Sequence, residues 1–162
     1  MNLRRAERAD IHQLIPLLND LDQMHQVWHP DMFVPLPEGR TTDDVLDLLK
    51  NPEGEVWVAE SEGAVTGLVY LEHREFKDLL VVRERKFILV DMLVVDARRR
   101  GEGIGKMLME KAKEVAVENG CSELQLKVMA GNAQARGWYE GLGYEPMLSQ
   151  MWMRLDGGER GN

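Results

Sequence analysis

The segment Asp96-Ala97-Arg98-Arg99-Arg100-Gly101-Glu102-Gly103-Ile104-Gly105-Lys106 concentrates the residues most able to hold an anion. Gly101, Gly103 and Gly105 alternate, so the backbone N–H groups between them are not covered by side chains. The first N–H groups of a helix lack intrahelical acceptors and lie at the positive end of the dipole. Donors of that kind bind a phosphate or pyrophosphate. Arg98, Arg99, Arg100 and Lys106 also outnumber Asp96 and Glu102, and Arg98 and Arg99 can either contact phosphate or remain solvated. The plainer alternative is a tight strand-to-helix turn with no ligand. Two nucleotide-binding spacings fail. A P-loop would need glycine at Arg100 and Ser or Thr at Met107, and the dinucleotide fingerprint would need glycine at Lys106 or Leu108.

Asp91 is the only ionisable residue within the apolar run Phe87 to Val95. Burial there would raise its pKa toward the range of a general base. Strict alternation puts it on one face with Leu93 and Val95, opposite Met92 and Val94. Glu72 and His73, at the end of a neighbouring strand, are further candidates that read equally as a solvated strand end. Tyr139, by periodicity, is a packed aromatic on a helix with Trp138 and Leu142. His25 and His29 have a spacing that could ligate zinc, but nothing nearby completes a site, so no metal is expected. Cys121, the only cysteine, excludes an internal disulfide and reads as structural. The methionines fall mostly at apolar positions and read as core filling.

The elements that must position these groups follow from periodicity. Residues 2–6 read as a short strand. Asp10 is placed to cap a helix carrying Ile11, Leu14, Ile15, Leu18 and Leu21, which passes Pro16 and ends before Pro30. His29 to Arg40 reads as a loop, and Thr41 or Thr42 caps a short helix ending near Asn51. Strands over 55–60 and 65–73 flank the turn Ser61-Glu62-Gly63, while 74–86 gives no clear assignment. Phe87 to Val95 is a buried strand. A helix through Ile104, Leu108, Ala112 and Val115, a strand over 123–128 and a helix over 133–142 follow. Alternation from Met151 to Leu155 reads as a last strand, and 156–162 as a loose tail. The expected order is β-α-α-β-β-β-α-β-α-β, an α/β or α+β chain with one mixed sheet, forming a single domain over 1–155.

The 162 residues carry 44% hydrophobic and 30% charged side chains, an ordinary globular balance. A net charge of −8 argues against nucleic-acid binding and mildly favours a cationic partner. The N-terminus lacks the apolar stretch of a signal peptide, and Phe87–Val95 is too short to cross a bilayer, so a cytoplasmic protein without membrane association is expected.

Arg100-Gly101-Glu102-Gly103-Ile104-Gly105 resembles the [Gln/Arg]-x-x-Gly-x-[Gly/Ala] acetyl-CoA motif of the GNAT superfamily of N-acetyltransferases, and follows the strand ending Leu93-Val94-Val95 as in that family. A second family motif is matched by Asn132, Ala135, Tyr139, Gly143 and Tyr144, with Trp138 where Phe or Leu is usual. The resemblance implies a mostly antiparallel sheet splayed between the strands at 87–95 and 123–128. The pantetheine arm of acetyl-CoA would bond there to backbone near Leu93, Val94 and Val95, with an oxyanion donor near the Val94 N–H. The pyrophosphate would rest on Arg100 to Lys106, namely Gly101, Glu102, Gly103, Ile104 and Gly105 with their flanking cations. Asn132 would contact the cofactor from the opposite wall, and Tyr139 would protonate the departing thiolate. Asp91 falls near where some members carry a carboxylate base, although many use ordered water. Trp28, Asp31 and Phe33 lie where the acceptor wall usually forms, or else the aromatics pack into the core. The implied activity is direct acetyl transfer to a primary amine of a small molecule or peptide, and homodimers are common in the family. The competing reading is a catalytically silent acyl-CoA-binding module.

Overall fold

A computed structural model describes residues 1–153 and 155. The chain forms two compact units, Met1–Lys127 and Val128–Asn162. In the first, β1 (Asn2–Arg5) leads to α1 (Ile11–Trp28), α2 (Thr42–Lys50), β2 (Gly54–Ser61), β3 (Ala64–Phe76), β4 (Arg85–Val95), α3 (Ile104–Glu118) and β5 (Glu123–Leu126). The five strands make one sheet in the order β1-β2-β3-β4-β5, antiparallel except for the parallel pair β4–β5. The second unit contains α4 (Ala133–Gly141). This is the mixed, mostly antiparallel sheet with flanking helices expected from the sequence.

The two faces of the sheet are filled by different helices. Leu14, Leu17, Leu18 and Leu21 of α1 and Val45 of α2 pack with Val56, Val58, Leu68, Tyr70 and Val94. On the other face, α3 approaches β3 at Gly67. A Cβ there would lie 3.0 Å from the Val94 carbonyl oxygen and 3.2 Å and 3.3 Å from the Ile104 and Leu108 side chains. The missing side chain lets the start of α3 seat against the sheet.

Local chemistry differs from the sequence expectation at several points. Asp10 occupies the N-cap position of α1, as expected, but its side chain makes no capping bond. Its buried carboxylate accepts from the Glu7 N–H (2.8 Å) and from the Arg4 guanidinium (2.7 and 2.9 Å), joining β1 to the turn before α1. Thr41 does cap α2, in a reciprocal box with Asp44. Residues 74–76 and 85–86, unassigned from sequence, extend β3 and β4. Glu62 and Gly63 both take positive φ, as a two-residue type I′ hairpin requires. The last strand is not formed over 151–153, where the apolar side chains are exposed, and its Arg154 lies outside the described residues together with the expected tail 156–162. No helix among the described residues is long and apolar enough to cross a membrane.

Candidate active site

Asp91 sits where β4 changes both of its neighbours. On one side Tyr70 pairs with Met92 but Leu71 pairs with Val90, so Asp91 is the extra residue of a β-bulge. On the other side β5 pairs with Phe87 through Val90 and then stops. From Asp91 to Val95 no strand among the described residues covers that edge of β4. This is the splay implied by the family resemblance. The Asp96 N–H donates to the Thr66 oxygen at 2.9 Å, and the Val94–Leu68 pair continues the same ladder. Alternation in an antiparallel ladder then turns the Leu93 and Val95 backbone groups to the open edge and the Val94 groups toward β3. The Val94 N–H is thus committed to the sheet, and the outward amides nearest to it are those of Leu93 and Val95.

As the extra residue between the Tyr70–Met92 and Leu71–Val90 pairs, Asp91 falls outside the strict alternation that grouped it with Leu93 and Val95. Desolvation raises the Asp91 pKa, the like charge of Glu72 adds to this, and Lys127, Arg74 and Arg40 oppose it. The carboxylate has no hydrogen-bond or ion-pair partner among the described residues, whereas Glu72 is paired with Arg74. Glu72 thus acts on Asp91 through charge. His73 is instead bonded to the buried Glu55, at 2.8 Å.

Beyond β4 the chain forms a stapled turn. The Asp96 carboxylate accepts from the Arg98 N–H (3.0 Å) and guanidinium (2.7 and 3.1 Å), which push its pKa down to about 2. The Arg99 Nε–H is shared between the two Glu102 carboxylate oxygens at 2.8 and 2.9 Å, and Nη2 lies 2.8 Å from Oε2. Arg98 and Arg99 are therefore engaged within the turn, while Lys106 has no ion-pair partner among the described residues and Arg100 makes only a 3.8 Å contact to the Met24 sulfur. Gly101 (φ +85°) and Gly103 (φ +81°) are left-handed, and apart from their chain neighbours no atom of the described residues lies within 4 Å of the Cβ positions they lack. Gly103 is the N-cap of α3 and supplies no side-chain acceptor. The first backbone bond of the helix runs from Met107 N–H to Gly103 O, so the N–H groups of Ile104, Gly105 and Lys106 precede the ladder. Ile104, 1% exposed, anchors this start in the core.

In the second unit, Asn132 caps α4 by accepting from the Ala135 N–H at 3.0 Å, which commits its side-chain oxygen. Tyr139 lies edge-on to Trp138 (centroids 4.9 Å apart) and Tyr144 (5.8 Å). Burial pushes its hydroxyl pKa up, so the phenol holds its proton at neutral pH.

At the end of α1, Trp28 and Asp31 are exposed, and Phe33 is stacked on His25 at 5.1 Å. The sequence reading missed the ion pair between Asp22 and Arg40, the bond from the Asn51 side-chain nitrogen to the Tyr70 hydroxyl (2.5 Å), and the stacking of His25 on Phe33. Asp22 and Arg40 are separated by a proline-rich loop and carry no local spacing signal; His25 was legible only as half of a zinc spacing. No group of three or more His, Cys, Asp or Glu among the described residues could hold a metal.

The acetyltransferase (GNAT) family model matches residues 21–144. An uncharacterized N-acetyltransferase, YhfO, of Bacillus subtilis (strain 168) is 30% identical over 146 residues, spanning 90% of each chain. Thialysine N-epsilon-acetyltransferase of Mus musculus is 24% identical over 155 residues, 93% of this chain and 88% of that protein. Among solved structures, a mutant of the BH1408 protein from Bacillus halodurans superimposes with a TM-score of 0.90 at 21% identity, over 96% of this chain and 99% of that one. The aminoglycoside N-acetyltransferase AAC(6')-Iy in complex with CoA gives 0.71 at 14% identity, over 94% and 98%. These two likenesses show the fold. The chain belongs to the GNAT family. It is an acetyltransferase enzyme, of a family that uses acetyl-CoA.

Proposed function

We propose that the protein transfers the acetyl group of acetyl-CoA directly to a primary amine of a small molecule or peptide, within a ternary complex. The observation that carries this reading is the parting of β4 from β5 at Asp91, followed by a strand edge that no described strand pairs and that runs into the start of α3, where no side chain caps the helix. The outward groups of Leu93 and Val95 suit a pantetheine amide chain. The amides of Gly101 to Lys106, with Arg100 and Lys106, suit a pyrophosphate. Acetyl-CoA supplies an acyl group activated as a thioester. The amine nitrogen forms its bond to the acyl carbon as the carbon–sulfur bond breaks. Asp91 takes the proton lost by the amine, and its raised pKa improves it as a base near neutrality. The Tyr139 phenol returns a proton to the thiolate, and outward N–H groups of β4 stabilise the developing oxyanion. Asn132, by resemblance, adds a cofactor contact through its side-chain nitrogen. The name of the thialysine enzyme and the acidity of this chain both favour a small cationic amine.

The test is thiol release from acetyl-CoA with lysine, spermidine, kanamycin and a peptide with a free N-terminus. Amine-dependent release is expected, and Tyr139→Phe should lower kcat by about a hundredfold at saturating amine. Tight CoA binding without release by any amine would instead indicate the silent binding module, and an unchanged kcat in Tyr139→Phe would remove the phenol from the mechanism.

A further inference from the structure

β3 and β4 continue past the rest of the sheet as a two-stranded arm. The pairing of β2 with β3 ends at Gly54–Glu72, and that of β5 with β4 begins at Glu123–Phe87. Residues 74–86 therefore have no described strand along either outer edge. The base of the arm is braced. The Phe76 and Phe87 rings lie 5.3 Å apart, and the Arg85 guanidinium sits 4.8 Å over Phe76 with its Nε 3.2 Å from Glu123 Oε1. At the tip, the Val82 N–H donates to the Leu79 oxygen at 3.4 Å and the Asp78 N–H to Glu84 Oε1 at 3.5 Å.

This arm presents Leu79-Leu80-Val81-Val82 to water, with Leu80 fully exposed and Val81 92% exposed. Four consecutive exposed aliphatic side chains are a liability unless a partner covers them. Arg74 and Arg85 pair with Glu72 and Glu123, which leaves Lys77, Arg83 and Lys86 beside the tip with no ion-pair partner among the described residues. Residues 74–86 hold five cationic and three anionic side chains in a chain of net charge −8. The fitting partner thus offers an apolar centre edged with carboxylates. An anionic lipid surface fits poorly, because it would repel the acidic remainder of the chain.

The chain carries such a surface itself. On α3, Val117 is 76% exposed and lines a shallow open depression with Glu110, Lys113, Glu114 and Glu118. Glu110 and Glu114 bond Lys113 and Lys111, and Glu118 has no ion-pair partner among the described residues. The depression and the arm lie at the same end of the sheet. Past α3, the Cys121 N–H donates to the Ala116 oxygen (2.9 Å) and the Ser122 N–H to the Lys86 oxygen (3.2 Å), tying the end of the helix to the base of the arm. A two-fold axis at that end can lay each arm on the α3 of the other copy, a closed isologous contact.

We infer that the apolar tip of the arm docks against Val117 and its flanking glutamates on α3 of a second copy of this chain, forming a two-fold dimer. The dimer stands or falls independently of the acetyl-transfer reading. Sedimentation velocity of the full chain over a dilution series tests it. Wild type should dimerise, and more weakly at high salt. Leu80→Asp combined with Val81→Asp disrupts the tip, and Val117→Asp the depression; each variant should raise the dimer Kd about tenfold or more. These side chains are exposed, so both variants should keep the wild-type Tm and circular dichroism. Mixed in equal amounts, the two variants should associate more tightly than either alone, because the intact arm of one meets the intact α3 of the other. Monomeric wild type would overturn the dimer, and a dimer indifferent to both variants would overturn this interface. A dimer weakened by the tip variant alone, with no recovery on mixing, would remove α3 as the seat. Monomeric wild type that binds vesicles of phosphatidylcholine and phosphatidylserine through the tip would replace the second copy with a lipid surface.

Discussion

Gly103→Ala separates the cost of a backbone conformation from the loss of a ligand seat. At φ +81° an alanine incurs the left-handed penalty, about 1–2 kcal/mol. Beyond its chain neighbours it meets no atom of the described residues within 4 Å, so no steric term from them is added. For a domain of this size that corresponds to a fall in Tm of roughly 2–8 °C. Gly63 in the β2–β3 turn is an internal control, since it has φ +77° and an equally open Cβ position but lies in a different turn. The two alanine variants should lose similar stability. Only Gly103→Ala should lose CoA affinity, by about 10–100-fold, the factor expected when hydrogen bonds to a charged group are displaced. Thermal unfolding and calorimetric titration with CoA measure the two quantities on the same preparations. Equal CoA affinity in both variants would refute the assignment of the pyrophosphate to this turn.

Glu72→Gln removes the like charge that raises the Asp91 pKa and frees Arg74, so the acidic limb of the amine kcat/KM profile should move to lower pH; Lys127→Met should move it to higher pH. A limb that moves in neither variant would show that Asp91 is not the titrating base. Gly67→Ala should destabilise the fold by about 1–3 kcal/mol and weaken CoA binding together, because its Cβ presses on the Val94 carbonyl and on Ile104 at the start of α3; chemical denaturation and CoA titration check this. Asp10 has its pKa lowered chiefly by hydrogen bonds from Arg4. Its contribution to stability is present above the unfolded carboxylate pKa and is lost as pH falls through the lower folded value. Asp10→Asn should therefore flatten the acid side of a stability-versus-pH curve measured by denaturant unfolding.

The elements from residue 87 to residue 126 were legible because a continuous apolar strand, a helical period and an alternating strand follow one another with glycine stops between them. The glycine turn was legible for the same local reason. The bulge at Asp91 was not. Alternation assumes a regular strand, and the bulge depends on the register of β3, which leaves no mark in β4 itself. The arginines of the turn looked available for phosphate because a charge count does not show that Asp96 and Glu102 bind Arg98 and Arg99. Asp10 had the residue type and position of a cap, yet Arg4 and the Glu7 amide took its oxygens. The Asp22–Arg40 fork spans a loop and is visible only once α1 is in place. The alternation at 151–153 shows that a strand pattern without an observed partner does not establish a strand.

The account depends most on the open edge of β4 and the start of α3 receiving CoA. Residue-resolved amide hydrogen exchange, with and without CoA, tests this directly. The account predicts that CoA slows exchange at Leu93, Val95, Ile104, Gly105 and Lys106, and leaves Val94, already bonded within the sheet, little changed. Saturating CoA that alters none of the first five amides, in natively folded protein, would contradict it.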